Sequence, residues 1–400
     1  MSSTEQHPVH FARRVEDLSE SSIFHIGRRA KALSDQGHDI VRMDAGEPDF
    51  DTPRWIIDAA KQALDDGYTR YTPIAGLSIL KDAIRNKFER ENGLHFRDSE
   101  VMHSCGAKQA LFNACLSLLG PADEVVIPSP HWGSYPAIAK IAGARIVEAP
   151  TRLEDGFVLT PETLERCMSE RTRVVLLNTP NNPTGQIYSR DALAALGDVL
   201  LNYPNAFVIT DDIYEHLRFG SEPFTNILNA CPSLKDRTVV INGVSKAYAM
   251  TGWRVGIVAG PELLIAEMLK LQGQTNSHTA AVSQVAAAAA LNGGLDDVHR
   301  MTNRFAQRAR LVQEGIDRIG KIDCQPAQGS FYCLPDFSRV IESLDEVEDD
   351  QELGEWLLDE LGIAMVPGSA FNAPGHMRLS FAANEESLQK GMERLQKAFA

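Results

Sequence analysis

Lys246 stands among small and apolar neighbours in the run Ser245-Lys246-Ala247-Tyr248-Ala249-Met250. Burial in such surroundings lowers an amine's pKa and leaves it nucleophilic, the state that Schiff-base chemistry needs. Arg254, just downstream in Gly252-Trp253-Arg254-Val255-Gly256, offers a planar fork suited to a phosphate. Either cation alone would pass for an ordinary loop residue. Arg378, in Met377-Arg378-Leu379-Ser380-Phe381, is a cation inside an apolar strand, where an unpaired charge is costly unless a structural salt bridge or an anionic ligand meets it. Asp211 and Asp212 follow the strand pattern Phe207 to Thr210; no histidine cluster accompanies them, so the pair gives no metal site.

The elements that must position these groups alternate. Helices are predicted over Arg54 to Leu64, Leu77 to Glu91, Lys108 to Leu119, Tyr135 to Ile141 and Asp191 to Leu201, with an Ala-rich helix over Ala280 to Leu291. Short β-branched runs lie among them at Glu124 to Ile127, Arg145 to Glu148, Val174 to Leu177, Phe207 to Thr210, Val239 to Ile241 and Val255 to Val258. This pattern predicts an α/β fold, a large domain whose mainly parallel sheet is covered by helices on both faces, over about residues 48–296. A helix from Ser22 to near Gly37 and a strand at Val41 to Asp44 precede it. After it come a long helix from Val298 to about Ile319, the segment Ser330 to Leu334, a helix over Glu352 to Leu361, strands at Ala364 to Val366 and Met377 to Phe381, and a last helix from Glu386. Residues 1–47 and 297–400 thus make a smaller α+β domain. Residues 1 to about 20 read as a mobile arm or a segment ordered against a partner subunit.

Composition bounds the function. The 400 residues carry a formal net charge of −15, which repels nucleic acid and anionic membrane surfaces, so neither is an expected partner. The six cysteines are scattered without a C-x-x-C pair, and the polar N-terminus lacks a signal-peptide pattern, which fits reduced thiols in a cytoplasm. No membrane-spanning segment is predicted. The absence of Walker, Rossmann and H-E-x-x-H motifs leaves nucleotide hydrolysis, dinucleotide redox and zinc-protease chemistry without support.

The run from Ser245 to Gly256 resembles the cofactor-lysine signature of fold-type-I pyridoxal-phosphate enzymes, class I/II aminotransferases in particular. Three more segments resemble that family in its order: Gly46-Glu47-Pro48-Asp49-Phe50, Asn181-Asn182-Pro183-Thr184-Gly185 and Asp211-Asp212-Ile213-Tyr214. The resemblance runs from about Ser22 to the C-terminus and implies pyridoxal 5′-phosphate as cofactor, held on Lys246. It implies that Asp211 pairs with the ring nitrogen and keeps it cationic, that Asn182 and Tyr214 donate to the phenolic oxygen, and that Trp132 stacks on the ring. For the phosphate it implies Ser245, Arg254 and the backbone of Gly106, Ala107 and Lys108, at the start of a helix whose free N–H groups favour an anion. The family commonly has a hydroxyl where this chain has Gly243, so one phosphate contact is missing or replaced.

Tyr71 matches a tyrosine that reaches the neighbouring subunit's phosphate, which implies a homodimer with shared sites. Arg378 matches the arginine that clamps the substrate α-carboxylate, helped by the backbone of Gly46. Lys246 then serves as general base and acid in a ping-pong transfer between amino acids and 2-oxo acids. Lys108 occupies a position that in prokaryotic aspartate aminotransferases contacts a side-chain carboxylate, which points to aspartate with 2-oxoglutarate; Ile23-Phe24-His25 replace small hydroxyl residues there and leave an aromatic or alanine-type preference open. A lyase cleaving a C–S bond at the β-carbon shares the same motifs. A transcription-regulator half would need a winged helix before this region, where only about twenty residues stand.

Overall fold

The computed structural model describes residues 11–16, 18 and 22–400. The arm predicted over residues 1 to about 20 lies largely outside them, as do the side chains of Ile23 and Phe24.

The strands are β1 (Val41–Arg42), β2 (Val101–Ser104), β3 (Glu124–Ser129), β4 (Arg145–Pro150), β5 (Thr172–Asn178), β6 (Phe207–Asp211), β7 (Thr238–Gly243), β8 (Gly256–Ala259), β9 (Tyr332–Cys333), β10 (Ile363–Ala364), β11 (Val366–Pro367) and β12 (Met377–Ser380). Seven of them form one sheet in the order β2-β8-β7-β6-β5-β3-β4. Its ladders are parallel except the two that β8 makes with β2 and β7. Strand residues alternate between two apolar layers, as a pleated sheet buried on both faces requires. Val174 and Leu176 of β5 face one layer, with the helices Ala107–Leu118, Ser134–Ala142 and Glu262–Thr275. Val175 and Leu177 face the other, with Arg54–Asp65, Ser78–Asn92, Arg190–Leu201 and Ala281–Asn292.

The last of these helices owes its place to small side chains: Ala286, Ala287 and Ala290 are fully buried against its neighbours. Ser189 caps Arg190–Leu201 by accepting from the Ala192 amide, 3.1 Å, which fixes where that helix begins. A further core gathers the helix Asp296–Ile316, the helices Asp350–Leu361 and Glu385–Phe399, and two small sheets ordered β1-β10 and β11-β12-β9. The single strand predicted over Ala364 to Val366 is in fact split. Ile363–Ala364 pairs with β1 and Val366–Pro367 with β12, because consecutive short stretches find partners on different segments.

The six cysteines form no disulfide. Among the described residues, no helix is long and apolar enough to cross a membrane.

Candidate active site

Chain reversals at one end of the large sheet put the chemistry-bearing residues together. Beyond the carboxyl ends of β2, β3, β5, β6 and β7 come, in turn, Ala107 and Lys108, Trp132, Asn182, Tyr214, and Ser245 with Lys246; Asp211 closes β6 itself. Arg254 arrives at the same end because β8 runs the other way. This is the edge at which open α/β sheets take ligands. From the second core, β12 contributes Arg378 and the segment after β1 contributes Gly46. A cavity of about 260 Å³ lies between them, lined by all the residues that the resemblance places around the cofactor and substrate except Gly106 and Tyr71. Its charged lining comprises Lys108, Lys246, Arg254 and Arg378 against one acid, Asp211, which suits a ligand with several anionic groups.

Lys246 Nζ donates to the Gly46 carbonyl at 2.6 Å and lies 5.7 Å from the Phe331 ring centre and 5.9 Å from that of Tyr214. Burial pulls its amine down to about 8, opposed by Glu47. Asp211 is buried, and the Tyr135 hydroxyl donates to its Oδ2 at 2.8 Å. Its Oδ1 receives only a 3.4 Å contact from the Ile213 amide. Burial pushes Asp211 up to about 6, although the Tyr135 hydroxyl pulls the other way. Asp212 turns to Thr210 and Asn226 instead, outside the cavity lining.

Arg378 is only 2 % exposed. Its guanidinium donates to Asn182 Oδ1 and to the Asp44 carbonyl, both at 3.1 Å, while Nε is unpartnered. Among the described residues no carboxylate pairs with it, so the structural salt bridge is ruled out there and the charge faces the cavity. Asn182 keeps its amide nitrogen for a ligand, since the carbonyl oxygen is used by Arg378. Lys108 Nζ rests 4.7 Å from the Trp132 ring centre, its pKa lowered by burial and then by Arg254.

Gly106 caps the helix Ala107–Leu118 at φ 81°, ψ 162°, with no side chain capping that end. Its own N–H donates to the Ser104 carbonyl at 2.9 Å, so of the three amides expected to meet an anion, those of Ala107 and Lys108 are the ones without an acceptor among the described residues. A Cβ at Gly106 would fall on the Arg254 guanidinium, 2.9 Å from its Cζ. Arg254 is itself held at φ 57°, a left-handed conformation that costs a non-glycine residue about 1–2 kcal/mol. Gly243 stands where a hydroxyl was expected because a Cβ there would lie 2.9 Å from the Val255 carbonyl. Tyr71 is 93 % exposed, edge-on to His278 at 5.7 Å. His25 lies at the surface, 3.0 Å from Glu355.

Tyr135, Asn178, Ile213, Thr251 and Tyr332 also line the cavity, and the sequence reading missed their part in it. For Tyr135 a signal existed: it opens the predicted helix just after Trp132, whose ring it meets edge-on at 5.6 Å. Asn178 ends β5 beside Asp211 and donates to the Asp211 carbonyl at 2.7 Å, a contact only the strand register reveals.

A family model described as aminotransferase class I and II matches residues 38–395. An aspartate/prephenate aminotransferase of Nitrosomonas europaea is 42 % identical over 96 % of this chain and 98 % of its own length. The crystal structure of the aspartate aminotransferase from Rhizobium meliloti superposes with a TM-score of 0.94 at 40 % identity, covering 98 % of this chain and 99 % of that one. The Thermus thermophilus aspartate aminotransferase with maleate gives 0.92 at 37 %, covering 98 % and 100 %. Enzymes of this family use pyridoxal 5′-phosphate, and the cavity fits it. An amine held near neutrality, a buried carboxylate with one oxygen underused, and an arginine beside two free helix-start amides match an aldehyde, a ring nitrogen and a phosphate. The chain belongs to the aminotransferase class I and II family and is a pyridoxal-phosphate-dependent transaminase.

Proposed function

We propose that this enzyme moves the amino group of aspartate to 2-oxoglutarate, at sites shared across a homodimer. The observation that carries the substrate choice is the presence of Arg378 and Lys108 in one cavity, neither with a carboxylate partner among the described residues. Two cations at separate points suit the two carboxylates of a dicarboxylic amino acid. Arg378 can meet the α-carboxylate with a planar fork, supported by the Gly46 N–H, and Lys108 the side-chain carboxylate as a point charge.

The remaining roles follow from position. Arg254, Ser245 and the amides of Ala107 and Lys108 hold the cofactor's phosphate, with Gly106 shaping the turn. Trp132 covers the ring, Asp211 holds the ring nitrogen in its cationic state, and Asn182 and Tyr214 donate to the phenolic oxygen. When bound, the cofactor supplies an electron sink conjugated to the substrate's α-carbon. Lys246 Nζ takes the α-proton and returns it on the other side of the exchange, its lowered pKa matching the task. Residues 1–47 and 297–400, acting as the small domain, close over residues 48–296, carry Arg378 inward and exclude water.

Exposure of Tyr71 supports its reaching into a neighbouring subunit. Sedimentation should then read twice the 44.0 kDa chain mass; a stable, fully active monomer would remove that part of the reading.

The test of substrate is a coupled assay against aspartate, alanine, tyrosine, phenylalanine and cystathionine, with Lys108→Ala alongside. Aspartate should be preferred, and Lys108→Ala should lower its kcat/KM by about 10- to 100-fold while alanine turnover changes little. Equal losses for both donors would deny Lys108 the side-chain carboxylate. Pyruvate and ammonia from cystathionine without oxo-acid consumption would make the enzyme a lyase. A second reading, prephenate as the amino acceptor, is supported by the description of the Nitrosomonas europaea relative. Prephenate, also a 2-oxo acid with a second carboxylate, suits the same two cations and belongs in the same assay.

A further inference from the structure

Tyr332 is 1 % exposed and lines the cavity, yet neither its motif nor its spacing singled it out. It lies on β9 directly opposite Ser380 of β12, so Arg378, two residues along, is its diagonal neighbour on the same face. That register stacks the Arg378 guanidinium 4.3 Å from the Tyr332 ring centre, with Phe371 on it at 4.8 Å. The Tyr332 hydroxyl is 3.5 Å from that of Tyr214, which donates to it, and a Cβ on Gly46 would lie 3.7 Å away.

We propose that Tyr332 is a positioning residue with two separable tasks: its ring holds Arg378 for the substrate carboxylate, and its hydroxyl orients that of Tyr214. The inference rests on the site reading above. Arg378 has no carboxylate partner among the described residues and an unpartnered Nε, so an aromatic face is a principal fixture of the charge. The second task follows from hydrogen-bond direction. With the cofactor's phenolic oxygen present, Tyr214 turns its proton to that oxygen, and Tyr332 can then donate to the Tyr214 oxygen. Two hydroxyls in series polarise one another, so Tyr332 makes Tyr214 the stronger donor. The charged groups facing the pair are Arg378, Asp211, Glu47 and Lys246.

The experiment uses the holoenzyme with Tyr332→Phe and Tyr332→Leu, reading the pH titration of the bound cofactor's visible band, maleate binding, and kcat and KM for aspartate. Tyr332→Phe keeps the ring and loses the hydroxyl. A weaker donor at the phenolic oxygen leaves the neighbouring imine proton harder to remove, so the spectral midpoint should move up by about 0.5–1 pH unit, with maleate binding and KM nearly unchanged. Tyr332→Leu should show the same spectral shift and also weaken maleate binding and raise KM by about tenfold. A Tyr332→Phe titration that overlays the parent overturns the hydroxyl task, and Tyr332→Leu with parental maleate binding overturns the ring task. A parent protein with no visible band that depends on Lys246 would overturn both tasks together with the site reading.

Discussion

Replacing Lys246 with alanine is expected to lower transamination by about 10,000-fold or more while leaving the chain folded. The side chain projects into the cavity and its one hydrogen bond among the described residues goes to the Gly46 carbonyl, so its loss removes the attachment point and the proton carrier without opening the core. Circular dichroism and the melting temperature should stay near the parent values while the cofactor's lysine-dependent band disappears. Turnover within tenfold of the parent would mean another residue carries the proton. The same lysine sets a pH dependence in the cofactor-free protein. Burial pulls its pKa to about 8, so the side chain is an ammonium below that value and a free amine above it. Acylation by an amine-directed reagent should rise with pH with a midpoint near 8 and level off above it. A midpoint above 10, where an exposed lysine titrates, would show the amine to be ordinary.

Arg378→Leu is expected to reduce kcat/KM for aspartate by about 1,000-fold, the scale on which loss of a buried charge partner is felt, and to abolish saturable maleate binding. Stability should change little by comparison. A guanidinium at 2 % exposure without a carboxylate partner among the described residues is costly to keep, but removing it also leaves Asn182 Oδ1 and the Asp44 carbonyl without this donor, so a calorimetric Tm near the parent's is expected. Arg378→Lys should recover little, because an ammonium cannot present two parallel donors. A large drop in Tm with activity preserved would make Arg378 a structural cation instead of a substrate group.

The sheet was legible in the sequence because its strands carry β-branched runs between amphipathic helices, and the residues at their carboxyl ends came with them. Val101–Ser104 was not. It is four residues long and half polar, and His103 and Ser104 are buried through contacts with Thr279, which lies far along the chain. The helix Glu262–Thr275 likewise lacks a clear apolar stripe and was not read. In the site, Lys246, Arg254, Asp211 and Asn182 announce themselves through local motifs. Tyr332 and Asn178 do not, since each acquires its place through strand register with a distant segment. The amide of Gly106 was assigned to an anion from sequence, whereas the turn itself consumes that donor.

The close approach of Gly106 and Arg254 limits what this site can accept at position 106. A side chain at 106 would have to push the guanidinium at 254 aside and would itself sit at φ 81°, which L side chains rarely adopt, so a larger residue at 106 is strained with or without the arginine. Glycine and arginine, 148 positions apart in the chain, thus meet at one point of the anion site, and a change at the first is felt at the second.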